Sequence, residues 1–270
     1  MSRNNTRRGL ILISVPKSGT MFLSGYLERI TSIPVVFGLS EKIQRSVICT
    51  LRNETHPMIL DNLTKSSPRP DIMLRRYLLM LKRNRLVGGG AGQVLISDHG
   101  FENFLVFLRC PHKARLLAPS DISAKGDDLR LGTVFLYRDI SSVAQSFTYF
   151  LTSGKSFLLR IDKLSVAAEI VVDLYMPLLA EMTRTWLHQA KDLGILCISY
   201  DDLVYRTPET LARICGHGGL SGYGTEKASS DQFKSWTYRS QRPPDGSCFT
   251  AEQKAKLADL QASLNQDLKA

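Results

Sequence analysis

Short apolar runs alternate along the chain with segments of helical periodicity. Four runs rich in β-branched residues are predicted strands: Leu10–Ser14, Val94–Ser97, Thr133–Tyr137 and Leu196–Ser199. Three of them lack polar alternation, which indicates a sheet covered on both faces. Helical spacing is found in six segments: Met21–Ile30, Ile72–Lys82, Ser142–Phe150, Val166–Asp192, Pro208–Cys215 and Ala251–Asp267. The alternation predicts a three-layer α/β/α fold around a central parallel sheet.

The length of the chain limits the number of domains it can form. Its 270 residues can bury a sizeable core, and we expect one α/β domain over residues 1–270. Residues 221–247 are polar and lack clear periodicity. We therefore expect a flexible lid in that segment.

Basic residues outnumber acidic ones. Lysine and arginine total 35 against 25 acidic residues, a formal charge of +10 that favours an anionic partner. The pairs Arg7-Arg8 and Lys82-Arg83 are too short for a nucleic-acid arm, and no zinc-finger, RRM or basic-zipper pattern occurs. No apolar stretch approaches the roughly 18 residues that span a bilayer. We expect neither a nucleic-acid partner nor stable membrane insertion.

The cysteines indicate a reducing compartment. There are five, Cys49, Cys110, Cys197, Cys215 and Cys248, widely spaced and without a CxxC pair. This pattern favours neither a disulfide framework nor a zinc site, so no metal is predicted. A cytoplasmic location fits best.

The first predicted strand runs into a loop suited to an anion. Residues 15–20 read Val-Pro-Lys-Ser-Gly-Thr and are followed directly by an apolar helix. A helix N-terminus directs unpaired N–H groups and a positive dipole end at an anion. Gly19 allows close approach, while Lys17 and Thr20 add a charge and a hydroxyl. A Walker A loop would have lysine immediately after Gly19, so a nucleotide or small-molecule kinase is only the alternative.

The third predicted strand is followed by a second distinctive element, residues 138–146, which read Arg-Asp-Ile-Ser-Ser-Val-Ala-Gln-Ser. Together with the loop, it resembles motifs of the cytosolic-type sulfotransferases that use 3′-phosphoadenosine 5′-phosphosulfate (PAPS). Pro16–Thr20 resembles their PKSGT loop, and Arg138, Asp139, Val143 and Ser146 match their RxPxDVxxS element. Eight residues from Arg138 to Ser146 are a little over two helical turns, so both side chains could reach one phosphate. The alternative is that Arg138 and Asp139 cap the helix and Ser146 is an ordinary helix serine.

The resemblance implies a P-loop-like fold and transfer of a sulfuryl group from PAPS to an acceptor hydroxyl or amine. Lys17 is then expected to stabilise the leaving phosphate. The base is expected to be His99, which follows the second core strand as in the family's KxH segment, with His112 as its rival. Ser97 stands where many relatives have a helper lysine.

The resemblance also implies a set of donor contacts. Ile198–Leu203 looks like the family's RYEDL segment, so Tyr200 is expected either to touch the nucleoside or to pack. Arg239 best matches the arginine of the family's FRKGxxGDW sequence, but the lysine, glycine and tryptophan are missing. Arg242 is therefore a rival, and a non-catalytic nucleotide-binding module is a further alternative. The implied donor-binding residues are Lys17, Ser18, Gly19, Thr20, Met21, Phe22, Arg138, Ser146, Tyr200 and Arg239.

The sequence leaves the acceptor open. The 39 residues from His99 to Arg138 exceed what the family leads us to expect, so we predict an insertion around residues 110–130 that shapes the acceptor pocket or a lid. The acceptor is expected to be a small molecule or a glycan, chosen by variable loops over the sheet edge. Oligomeric state is not predicted.

Overall fold

The computed structural model describes residues 9–31, 33, 35–37, 94–102, 104–153, 161–220 and 248–267. The predicted helix at Ile72–Lys82 and the predicted lid at 221–247 lie outside these residues. Arg239 and Arg242, the two candidates for the 3′-phosphate arginine, also lie outside them.

A parallel sheet forms the centre of the described structure. Its five strands are β1 (Gly9–Ser14), β2 (Val35–Phe37), β3 (Val94–Asp98), β4 (Gly132–Tyr137) and β5 (Leu196–Ser199), in the order β2-β3-β1-β4-β5. All four predicted strands are present within one residue of their predicted bounds. The strand β2 was not predicted, because three residues are too few to show a period.

Nine α-helices surround the sheet in the described residues. They are α1 (Thr20–Thr31), α2 (Phe104–Arg109), α3 (Pro119–Leu129), α4 (Ile140–Thr152), α5 (Leu164–Ile170), α6 (Met176–Ala190), α7 (Tyr200–Tyr205), α8 (Thr207–His217) and α9 (Ala251–Asp267). The predicted helices α1, α4, α8 and α9 are confirmed. A π-helical turn, Val171–Tyr175, joins α5 to α6, so the single helix predicted over 166–192 is interrupted.

Three helices were missed, each for a physical reason. The α2 and α7 segments are only six residues long, too short for a clear helical period. The α3 segment, PSDISAKGDDL, is mostly polar, and Ile122 anchors it in the core. In the chain α3 connects β3 to β4, which are the two neighbours of β1 in the sheet.

The two faces of the sheet carry separate cores. Leu10 and Leu12 of β1 pack in one cluster with Leu23 and Leu27 of α1 and with residues of α7 and α8. The alternate residues of β1 belong to the other cluster, which residues of α2, α3, α4, α5, α6 and α9 complete. Every residue of β1 is therefore buried, which explains its unbroken apolar run. The predicted three-layer α/β/α fold is confirmed.

Strand register brings the predicted site residues to one edge. Ile13 of β1 pairs with Asp98 of β3, so His99 follows at the level of Ser14. On the other side Ser14 pairs with Leu136, just before the end of β4. Strands that follow β1 in the chain lie on both of its sides, β3 on one and β4 on the other, so the strand order reverses at β1. Such a switch point at the carboxyl ends of parallel strands is where open α/β sheets bind ligands.

Candidate active site

The loop between β1 and α1 is held in a tight conformation. Lys17 and Gly19 both adopt positive φ, at 70° and 98°. A Cβ on Gly19 would lie 2.7 Å from two ring atoms of Tyr200, so only glycine fits there. Ser18 is buried: its N–H donates to Val15 O at 3.0 Å, and its hydroxyl donates to Val15 O at 2.5 Å and Leu136 O at 3.2 Å. Ser18 thus fixes the loop to β4.

The loop presents backbone donors at the start of a twelve-residue helix. Leu23 N–H donates to Gly19 O at 2.9 Å, and the N–H groups of Thr20, Met21 and Phe22 precede that bond. The N–H groups of a first helical turn point towards the N-terminal end of the helix, where the helix dipole adds positive potential. A loop that leads into a helix N-terminus in this way fits a phosphate group.

Lys17 lies against helix α4. Its Nζ is 3.4 Å from the centroid of the Phe150 ring, a cation–π contact. The side chain is half-buried, and a lysine in the left-handed region is uncommon. The loop conformation and the aromatic ring together keep this ammonium group at the edge of the sheet.

His99 lies beside the loop with an unusual environment. Its Nδ1 is 3.4 Å from the Ser14 hydroxyl, and its ring stacks on Phe104 with centroids 4.4 Å apart. The pKa of His99 is lowered to about 4: loss of hydration is the largest cause, a hydrogen bond to the Ser14 backbone partly opposes it, and the positive charge of Lys17 also lowers the pKa. The ring is therefore neutral at pH 7 and able to accept a proton.

The other residues predicted around His99 occupy different settings. Ser97, at the position of the helper lysine, is buried in β3, and the Ser24 hydroxyl donates to its hydroxyl at 3.4 Å. His112, the rival base, is exposed on the 3₁₀ turn Pro111–Lys113. Lys17, rather than position 97, thus supplies positive charge to His99.

Arg138 and Tyr200 form the other half of the site. The Arg138 guanidinium carbon is 4.2 Å from the centroid of the Tyr200 ring, which also borders Gly19. Asp139 caps α4: its carboxylate accepts a hydrogen bond of 2.7 Å from Ser142 N–H. Asp139 is therefore a helix cap, one of the two possibilities that the sequence left open. Arg138 instead contacts the Tyr200 ring, beside the loop of residues 15–20 that we call the phosphate loop.

Three residues near the site were not singled out from the sequence. Ser14 is the polar end of an otherwise apolar strand, which was the signal that could have revealed it. Phe150 lies one helical turn after Ser146 on α4. Phe104 is the first residue of the short helix α2, which begins five residues after His99. Ser146 itself is half-buried on α4. The structure therefore brings Lys17, His99, Arg138 and Tyr200 around one loop, whereas Arg239 lies outside the described residues.

The described residues contain neither a metal-ion cluster nor a membrane-spanning helix. No group of three or more histidine, cysteine or acidic side chains there is arranged to hold a metal ion. None of the helices in that same part of the chain has the length and apolar character to cross a membrane.

The glycine in the loop gives a first prediction. Gly19→Ala is expected to lower the free energy of unfolding by about 1–3 kcal/mol, because Cβ would meet the Tyr200 ring at a strained φ. Gly216→Ala is the control, since its Cβ would meet nothing within 4 Å. Its effect should stay within about 1 kcal/mol in urea denaturation. Equal stability of the two variants would show that the loop is not packed against Tyr200.

The environment of His99 gives a second prediction. An unfolded histidine has its pKa near 6.5 and the folded ring near 4, so between these values the unfolded chain binds more protons. Stability should therefore fall as pH drops from about 6.5 to about 4. The loss should exceed that of His99→Gln by up to about 3 kcal/mol in urea denaturation. Parallel pH curves for the two proteins would contradict a neutral, desolvated His99.

Comparison with known proteins identifies the family. A family model described as the sulfotransferase domain matches residues 7–243. No curated protein matches the chain in a sequence comparison.

A solved structure shows the same fold. A crystal structure of a mouse sulfotransferase complexed with PAP aligns with a TM-score of 0.54 and 13% identity, covering 96% of this chain and 89% of that one. Retinol dehydratase in a complex with retinol and PAP aligns with a TM-score of 0.42 and 17% identity, over 82% of this chain and 62% of that one. The family expected from the two sequence motifs is confirmed: the chain belongs to the sulfotransferase domain family.

Proposed function

We propose that the chain transfers a sulfuryl group from PAPS to an acceptor hydroxyl or amine. The observation that carries this proposal is the meeting, at one sheet edge, of an anion-binding helix N-terminus, the ammonium of Lys17 and the neutral ring of His99. The mouse enzyme of the same fold is complexed with PAP, 3′-phosphoadenosine 5′-phosphate, which is what PAPS leaves after transfer.

The phosphate loop would hold the 5′ end of the donor. When bound, the donor supplies an activated sulfuryl group attached to its 5′-phosphate. The N–H groups of Thr20, Met21 and Phe22 and the Thr20 hydroxyl would bind that phosphate. Lys17 would place its positive charge near the bridging oxygen, where negative charge develops as the sulfur–oxygen bond breaks. Ser18 would act through the loop, because its hydrogens are already donated to carbonyl groups.

His99 would accept the proton that the acceptor loses. As the acceptor oxygen or nitrogen forms its bond to sulfur, its proton passes to the bare ring nitrogen of His99, and the electron pair of the broken bond stays on the phosphate oxygen. A neutral ring is needed for this role, and the lowered pKa of His99 ensures it at pH 7.

Arg138 would bind the 3′ side of the donor. Its guanidinium group contacts the Tyr200 ring, and that ring borders Gly19. Arginine binds phosphate oxygens with two parallel hydrogen bonds, which suits a 3′-phosphate. Ser146 would add a hydroxyl from α4, Tyr200 an aromatic surface for the nucleoside, and Arg239 or its rival Arg242 a second guanidinium.

The acceptor and the location are proposed more broadly. The acceptor is a small molecule or a glycan with a hydroxyl or amine that reaches His99. We place the protein in the cytoplasm, since four cysteines in the described residues, Cys110, Cys197, Cys215 and Cys248, are free thiols that suit a reducing compartment.

Transfer of radiolabelled sulfate from PAPS tests the proposal, with an acceptor taken from a screen of phenols, alcohols, amines and sugars. Lys17→Ala and His99→Ala should each lower kcat/KM by about 10²–10⁴-fold, because each removes a group that acts in the transition state. His112→Ala is the matched control and should keep wild-type activity.

Nucleotide binding separates loss of chemistry from loss of the site. PAP should raise the melting temperature of wild type and of His99→Ala alike, because His99 does not hold the nucleotide and a ligand of the native state stabilises it. Unchanged transfer by His99→Ala, or a loss in His112→Ala alone, would contradict the assignment of the base. A wild-type protein that PAP does not stabilise would contradict the proposed donor.

A further inference from the structure

We propose that Ser14 is a positioning residue that couples the phosphate loop to His99 and fixes which nitrogen of the ring is bare. This inference rests on the proposed function, in which His99 accepts the acceptor's proton. Ser14 belongs neither to the loop motif Pro16–Thr20 nor to the segment around His99, so neither motif assigns it a part in the reaction.

Ser14 lies between the two halves of the machinery. It is the last residue of the central strand and only 1% exposed. Its hydroxyl oxygen is 2.5 Å from Thr20 Oγ1, 3.4 Å from His99 Nδ1 and 3.4 Å from Asp98 O. One buried hydroxyl thus contacts the phosphate loop, the candidate base and the end of β3.

The chemistry of a hydroxyl group restricts how these contacts can be used. A serine has one hydrogen to donate and two lone pairs to accept with, and a neutral imidazole has one N–H and one bare nitrogen. Because Nδ1 faces Ser14, Nε2 is the nitrogen left for an acceptor. If Ser14 donated to Nδ1, the hydrogen of the ring would be on Nε2, and His99 could not act as a base through that atom.

The productive arrangement runs in the other direction. His99 Nδ1–H donates to Ser14, Ser14 donates its one hydrogen to Thr20 Oγ1 at 2.5 Å instead of to Asp98 O at 3.4 Å, and Thr20 donates its hydrogen to an anion at the start of α1. An anion in the loop would favour this direction, since it can only accept. The 3.4 Å contact between Nδ1 and Ser14 is long for a hydrogen bond, and such contacts shorten when a site is occupied. Occupancy of the phosphate loop would therefore hold Nε2 bare and ready for the proton.

The tautomer of His99 can be measured directly. Long-range ¹H–¹⁵N NMR distinguishes Nδ1–H from Nε2–H, and PAP serves as the probe anion. In wild type, PAP should leave His99 in the Nδ1–H form and should shift its ring nitrogen resonances. Ser14→Ala should lose that PAP-induced shift, and Ser14→Thr should keep it because threonine retains the hydroxyl.

Kinetics give a second readout that a purely structural role would not produce. Ser14→Ala should lower kcat about tenfold, the scale of one lost hydrogen bond, with a smaller change in the KM for PAPS. Ser14→Thr should restore kcat to within about threefold of wild type, since only the hydroxyl is required.

Separate results would overturn the inference and the proposed function. A PAP-bound wild type with His99 in the Nε2–H form would overturn the inference without any variant, so misfolding of Ser14→Ala cannot rescue it. The same PAP-induced shift in Ser14→Ala as in wild type would also overturn it. If PAP does not raise the melting temperature of wild type, the proposed function itself is contradicted, whatever the tautomer of His99.

Discussion

The central strand is the constraint on which the site depends. Because β1 is buried on both faces, it contains only apolar residues until its last position, and its chain must turn sharply into α1. The turn places the positive end of the α1 dipole at the sheet edge. The strands beside β1 end at that same edge, so the residues that follow them, His99 and Arg138, arrive next to the start of α1. This arrangement is the basis of the proposed anion site.

The loss of hydration at His99 and the positive charge of Lys17 then determine the protonation state of His99. Lys17 is held at this edge by its loop conformation and by Phe150, and its charge helps to keep His99 neutral. In the proposed reaction this one cation has two effects: it would favour negative charge on the leaving group, and it disfavours a charged His99 ring. We propose that Lys17 does so without a second lysine at position 97, where the residue is serine. Ser14 is buried and its hydroxyl contacts both Thr20 and His99.

The sequence predicted the centre of the fold better than its periphery. The strands β1 and β4 are unbroken apolar runs, and the Lys17 loop and the Arg138 element have spacings that follow from strand and helix geometry, so all were found. The short strand β2 and the polar helix α3 have no clear period, and their structure depends on packing against neighbours that are distant in the chain. The contacts of Ser14 were not predicted for a similar reason. Its contacts are made across the sheet, and only the register of β1 with β3 brings His99 within reach.

We propose that one site binds two separated phosphates, one at the loop between β1 and α1 and the other at Arg138. PAP and ADP test it well, because both carry two phosphates on adenosine but place the second at different positions. Isothermal titration calorimetry should show PAP binding about 100-fold more tightly than ADP with Mg²⁺, the effect of one or two charge-assisted hydrogen bonds to the 3′-phosphate. Equal or tighter binding of ADP would contradict the account and favour a kinase-like use of the loop.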